Sequence, residues 1–497
     1  MKKDLKAGII LNYLFIVLSN AASIVLTPLL LKGMGTDTYG LYILVFTNIS
    51  LFAVADFGIG TSVIRDVAAY CVKVEREELS SYLSSIFWAY MGFAVAALAI
   101  CAVFTAVAPT VFKNAILPQF TGTFRLMFML ASGNVFLLFF QNYLFSIITG
   151  HERVAFTRLI NIFKIIIRTA AIFLVAVSSR SFFSPHIIFF IDIVLTALVV
   201  LSFYIYVRKK LEVRLKIFHL KNFGSGFYRQ KIGRMLLLYT VPISESLYWS
   251  TCNSVIAMLI SSESVGVFSI AVTFVTIFIQ IAATLSYLNL PTVTELRLSD
   301  NKVEFNKFML KTGRTNILLL SVILVGFIAA GKTFLDIWIG LDFDIAYYLA
   351  AIMMVSHYLY LSESMLEMVL FSDNKYLFKA VITAAATVVN IILVVWLTGF
   401  FGIVGAALAV LITTFVFKVV GMNLYYMKLG LKPFRYLFEV TKETALPVAA
   451  AVLLCYFAFR GQEIGITVIR TVAALGVLGA GWLLIRKLEG ARTIDLS

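Results

Sequence analysis

The sequence predicts an all-α polytopic membrane protein of about fourteen transmembrane helices. Three observations carry that prediction. The 497 residues are 61% hydrophobic and only 13% charged, with a mean hydropathy of +0.96. A soluble globule cannot bury that much apolar surface. Apolar runs long enough to cross a bilayer follow one another along nearly the whole chain, which leaves no room for a soluble catalytic domain. Finally, Lys and Arg fall almost wholly in alternate breaks between those runs.

The runs lie at 8–31, 40–64, 82–108, 122–149, 157–178, 187–207, 235–260, 265–290, 313–331, 347–371, 377–397, 401–425, 444–459 and 465–485. The thirteenth is the shortest. The first follows the basic start Met-Lys-Lys-Asp-Leu-Lys and is too long for a signal-peptide core. It reads as an uncleaved span with the N-terminus in the cytoplasm. Odd spans then run outward and even spans return. On that topology 31 of the 41 Lys and Arg lie on inside segments, seven outside and three within spans. This bias fixes the expected orientation, with both termini cytoplasmic. It also accounts for the net charge of +15 without nucleic acid. The four cysteines and four histidines show no ligand spacing, so free thiols and no metal site are expected.

The longest inside break, 208–234, carries nine basic residues and divides the chain after six spans. The expected organisation is an N-terminal lobe at 1–207, a basic cytoplasmic linker at 208–234, a C-terminal lobe at 235–427, and a last helix pair with a tail at 428–497. A weak internal repeat supports two lobes. Thr36-Asp-Thr-Tyr-Gly40-Leu-Tyr42 resembles Ser262-Glu-Ser-Val-Gly266-Val-Phe268, at an offset of 226. Gly150-His-Glu-Arg153-Val-Ala-Phe156 resembles Ser372-Asp-Asn-Lys375-Tyr-Leu-Phe378, at an offset of 222. At the second offset Gln141-Asn142 falls on Glu363-Ser364, and Arg168 on Asn390. Six spans per lobe is an even number, so both lobes keep one membrane orientation with a cavity between them.

Polar residues inside spans are the candidate site. Lys164 and Arg168 lie four apart on one helix face, about 6 Å along the axis. A guanidinium near mid-span costs on the order of 3 kcal/mol and persists only beside a partner or a watery cavity. An anionic substrate is one reading; an internal ion pair, or snorkelling by Lys164, is the other. Arg65, at the inner end of span 2, and Lys418, in span 12, are further cations. Arg65 could instead pair with Asp66, and Lys418 could snorkel. Asn12, Asn20, Gln141, Asn142, Gln280 and Asn390 could contact hydroxyl-rich cargo or bond between helices. Asp56, Glu245, Glu363 and Glu367 could balance the cations or couple transport to H⁺ or Na⁺. Glu363 and Glu367 share a face of span 10 with Ser356 and Tyr360; Lys375 is one possible partner. Asp192 reads as shallow and solvated. Pro28 and Pro242 could kink spans 1 and 7.

Three loose motifs then acquire meaning from their order. They are Asn12…Pro28-Leu-Leu-Leu-Lys-Gly-Met-Gly35-Thr-Asp-Thr-Tyr-Gly40-Leu-Tyr, Asp56-Phe-Gly58-Ile-Gly-Thr-Ser-Val-Ile-Arg65, and Phe401-Gly402-Ile-Val-Gly405-Ala-Ala-Leu-Ala. In this order the chain resembles the Wzx-type polysaccharide flippases, in the superfamily that also holds MATE exporters and MurJ. The resemblance implies two six-helix lobes in a V around a cationic central cavity, plus two C-terminal helices that could cradle a lipid tail. It implies an undecaprenyl-pyrophosphate-linked oligosaccharide as cargo, moved between leaflets of a bacterial inner membrane by alternating access. Polysaccharide polymerase and chain-length proteins, with membrane lipids, are the implied partners. Of single residues it carries over only Asp56, Gly58 and Arg65. No catalytic constellation or P-loop is present, so neither an enzyme nor direct use of ATP is expected, and no cofactor. A MATE-like ion-coupled exporter and a non-transporting scaffold of polysaccharide assembly are the alternatives.

Overall fold

The computed structural model describes all residues except 1, 55–58, 74–75, 179–183, 212–226, 300, 341–342, 374, 376, 458–462 and 490–497. Asp56 and Gly58 therefore lie outside the described residues, as do most of the 208–234 linker and the tail from 490.

The described elements are helical throughout. In order they are α1 (Lys2–Met34), α2 (Thr36–Val54), α3 (Ile59–Lys73), α4 (Arg76–Val111), α5 (Thr121–Gly150), α6 (Val154–Ser178), α7 (His186–Lys209), α8 (Phe227–Leu259) and α9 (Ser262–Leu288). Then follow α10 (Leu290–Leu298), α11 (Lys302–Trp338), α12 (Asp344–Ser362), α13 (Ser364–Ser372), α14 (Leu377–Phe401), α15 (Ile403–Thr413), a π-helical segment Thr414–Gly421, α16 (Met422–Lys428), α17 (Pro433–Phe457) and α18 (Ile464–Glu489). In hydrocarbon every backbone polar group must be satisfied within its own segment, so apolar runs of this length fold as helices.

Twelve stretches among the described residues are long and apolar enough to cross a membrane. The expected spans 40–64 and 235–260 are not among those twelve. The first meets the undescribed residues 55–58, and the second lies within the helix α8. Span 13 is corrected: the sequence starts it at 444, whereas α17 begins at Pro433 and is 25 residues long.

By their contacts the residues form two compact units, Met1–Gly266 and Val267–Ser497. In the first, α5 is the central post and packs against α2, α3, α4 and α7, while α1 lies along α6. In the second, α11 takes that place, against α12, α17 and α18. Each helix buries one side and leaves large apolar residues on the other. On α6 the outward side holds Phe163, Ile166, Ile167, Phe173 and Leu174, the surface that acyl chains would cover.

The two motifs matched at offset 226 meet directly. The Ser262 hydroxyl donates to Asp37 Oδ1 at 2.9 Å. Gly40 lies against the Ser262 carbonyl so closely that a Cβ would collide with it, and a Cβ on Gly266 would come 3.1 Å from the Tyr39 ring. The Phe401-Gly402 motif also has a local cause. Gly402 links α14 to α15 at φ 58° and ψ −143°, a region that Cβ-bearing residues avoid. Gly405 then lets α15 turn back against the Leu397 carbonyl.

Candidate functional site

One side of α6 is polar within an otherwise apolar helix. Arg158, Asn161, Lys164 and Arg168 follow one another at steps of three, three and four, which keeps them near one face over about 15 Å. That face turns toward α1, α5 and α7.

Arg168 makes a two-pronged pair with Asp192 of α7. Its Nε donates to Oδ1 at 2.6 Å and its Nη2 to Oδ2 at 3.1 Å. The planar fork of arginine matches a carboxylate in this way. The buried Tyr42 phenol of α2 interacts with the same guanidinium. Asp192 is thus buried and paired, which corrects the reading of it as shallow and solvated. The sequence missed the contact because partners on different helices have no fixed spacing.

Lys164 is held differently. Its Nζ donates to Thr196 Oγ1 at 2.8 Å and reaches Gln141 Oε1 at 3.5 Å. Both acceptors are neutral. Thr196 is fully buried and donates onward to the Asp192 carbonyl at 2.7 Å. Two cations therefore share the single carboxylate of Asp192, and the cluster carries one net positive charge. Arg158, which the sequence reading counted only as an inner-side cation, completes the stripe. Its guanidinium lies over the Phe15 ring at 5.9 Å and the Phe145 ring at 5.6 Å. The three-three-four spacing on α6 was the available signal.

The other unit-one candidates are not gathered here. Arg65 is exposed on α3, while its neighbour Asp66 is buried and accepts from Tyr82 Oη at 2.7 Å. Asn12 on α1, Asn142 on α5 and Glu245 on α8 are half-buried.

In the second unit the expected pair of carboxylates is divided. The span breaks between α12 and α13 at Glu363 (φ −94°, ψ 2°). Glu363 turns to Asn423 of α16, whose Nδ2 donates to its Oε1 at 2.6 Å. Glu367 instead pairs with Lys379 of α14 and accepts from Tyr360 Oη at 3.3 Å. The cation beside Glu367 is therefore Lys379; Lys375 is placed 3.7 Å from Asp373. Lys418 sits in the π-helical segment, 5% exposed, with its Nζ 5.7 Å from the Tyr360 ring centre. It is buried in the protein, which corrects the expectation of snorkelling. Asn390 is fully buried and accepts from Thr413 at 3.2 Å.

No family model matches the chain, and no curated protein sequence matches it. Solved structures do. The lipid II flippase MurJ in an inward closed conformation superposes with a TM-score of 0.72 over 96% of this chain and 99% of that one, at 14% identity. An inward-facing multidrug resistance MATE family transporter of the MOP superfamily gives 0.64 over 82% and 94%, also at 14% identity. A MATE in the straight conformation gives 0.52 over 86% and 96%, again at 14%. The chain has the fold that these proteins share. The all-helical membrane architecture expected from hydropathy is thereby established, and the neighbours are described as a flippase and transporters rather than enzymes.

Proposed function

We propose that this protein is a flippase that carries an undecaprenyl-pyrophosphate-linked oligosaccharide from the inner to the outer leaflet of a bacterial cytoplasmic membrane. The observation that carries the reading is the α6 cluster, in which Lys164 is held by neutral oxygens beside an Arg168 already occupied by Asp192. Sustained positive charge in a span is costly, and an anionic headgroup offsets that cost. A pyrophosphate accepts charge-assisted bonds from Lys and Arg alike, and the sugars need amides and hydroxyls of the kind Gln141, Asn142 and Asn12 offer. Arg65, Lys418 and Asn390 complete the proposed substrate set, with Asp56, Glu245, Glu363 and Glu367 as charge-balancing or ion-coupling groups. The regions 1–207 and 235–427 act as rocking lobes, the 208–234 segment as their linker, and 428–497 as the added helix pair. Polymerase and chain-length proteins are the expected neighbours in the membrane.

The test compares cells with and without the gene, measuring lipid-linked glycan and surface polysaccharide. Loss of surface polymer with accumulation of the glycolipid is expected, reversed by wild type and not by Lys164→Gln. Rescue by Lys164→Gln would remove the α6 cluster from the mechanism. Unchanged glycolipid together with altered efflux of cationic dyes would favour the MATE-like reading.

A further inference from the structure

We propose that buried oxygens at the α12–α13 break form a binding site for one monovalent hard cation, Na⁺. Its centre is Glu363, only 3% exposed. One carboxylate oxygen is taken by Asn423 Nδ2. The other, Oε2, is buried without a hydrogen-bond donor among the described residues, and so is Asn423 Oδ1. The adjoining residue continues the cluster: Ser364 Oγ receives Asn316 Nδ2 at 2.8 Å and Ser286 Oγ at 2.8 Å. Asn316 Oδ1 is again buried without a donor among the described residues. From α17 the buried Tyr436 phenol lies in the field of Glu363. Its oxygen packs against Gly313 of α11, where any Cβ would strike it.

Buried acceptors left unsatisfied cost about 1–3 kcal/mol each. Several such acceptors in one cluster indicate a shared positive centre. A proton on Glu363 would serve only one further oxygen. A metal ion could bond several at once, and carboxylate, amide and phenol oxygens are hard ligands suited to the alkali and alkaline-earth cations. The site carries a single negative charge, so a monovalent ion leaves the interior neutral and a divalent ion does not. The nearby charges are already engaged: Glu367 by Lys379, and Arg314 by Glu439 and Glu443. Lys418 stands over Tyr360. This assignment adds a specific ion and a specific site to the proposed coupling.

The test uses the full chain in lipid nanodiscs without cargo, so its outcome is independent of the glycolipid reading. Thermal midpoints are followed as NaCl replaces choline chloride at constant ionic strength, at pH 6 and pH 8. A saturable rise specific to Na⁺ is expected. Glu363→Gln, which keeps the shape, should weaken the half-saturating Na⁺ concentration at least tenfold, as should Asn423→Ala. Asp373→Asn, a surface change, should leave it within twofold. Direct ²²Na⁺ binding to wild type should approach one ion per chain, and this arm stands even if the variants fail to fold. Absence of any Na⁺-specific response in wild type would overturn the proposal. So would an undiminished response in Glu363→Gln, or a shift set by pH alone and lost in Glu363→Gln, which would make the occupant a proton.

Discussion

Arg168, Asp192 and Lys164 show how differently three charges in one cluster behave. Removing one member of a buried ion pair strands the other, at a cost of about 3–5 kcal/mol. Asp192→Asn alone should therefore lower the thermal midpoint in nanodiscs sharply. The double change Arg168→Gln with Asp192→Asn should restore much of the loss, and the cycle should give a coupling of about 2 kcal/mol or more. Additive losses would mean the pair is solvated. Lys164→Met is expected to have the opposite profile, with stability unchanged or raised and transport abolished. That contrast separates a cation retained for cargo from one retained for folding. The sequence pointed to both α6 cations because charge inside an apolar run is conspicuous. It could not point to Asp192, whose role depends on how α7 is rotated against α6.

At the scale of the element, α17 repeats this lesson. Glu439, Lys442 and Glu443 led the sequence reading to begin the span at 444. The structure extends the helix upstream because Arg314 of α11 pairs with both carboxylates, at 3.3 Å to Glu439 and 2.7 Å to Glu443, while Lys442 approaches Glu439 at 2.8 Å. Arg314→Gln should loosen α17 and lower the midpoint more than Lys442→Gln does; protection of α17 amides from hydrogen exchange would report it. The glycine motifs are element-scale features as well. At Gly40 a side chain would meet backbone at Ser262, which cannot swing aside. Gly40→Val should therefore cost about 1–3 kcal/mol, read as a fall in midpoint, with Gly92→Val, where a Cβ meets nothing within 4 Å, as the comparison.

For the whole molecule, orientation is the property still carried by charge placement. If odd spans run outward, Lys113→Cys should react with an impermeant maleimide in intact cells, in a background with Cys71, Cys101, Cys252 and Cys455 replaced. Asn301→Cys should react only after permeabilisation. The reverse pattern would invert the topology and the proposed direction of transport. The internal repeat was also legible at this scale, because its two Gly-containing motifs kept enough identity to align. Their direct contact through Asp37, Gly40, Ser262 and Gly266 was not.

The sequence by itself determined that the chain is a bundle of membrane helices, approximately where most of those helices lie, and which of them carry charge. These properties depend on local composition, since a bilayer admits only self-satisfied segments and penalises each charge where it sits. Tertiary structure alone decided which charges cancel. It gave Arg168 to Asp192, Glu367 to Lys379 and Arg314 to α17, while leaving Lys164 on neutral oxygens and Glu363 with an oxygen lacking a donor among the described residues. The physical reason is that pairing energy depends on distances of a few ångströms between different helices, and helix rotation and packing set those distances.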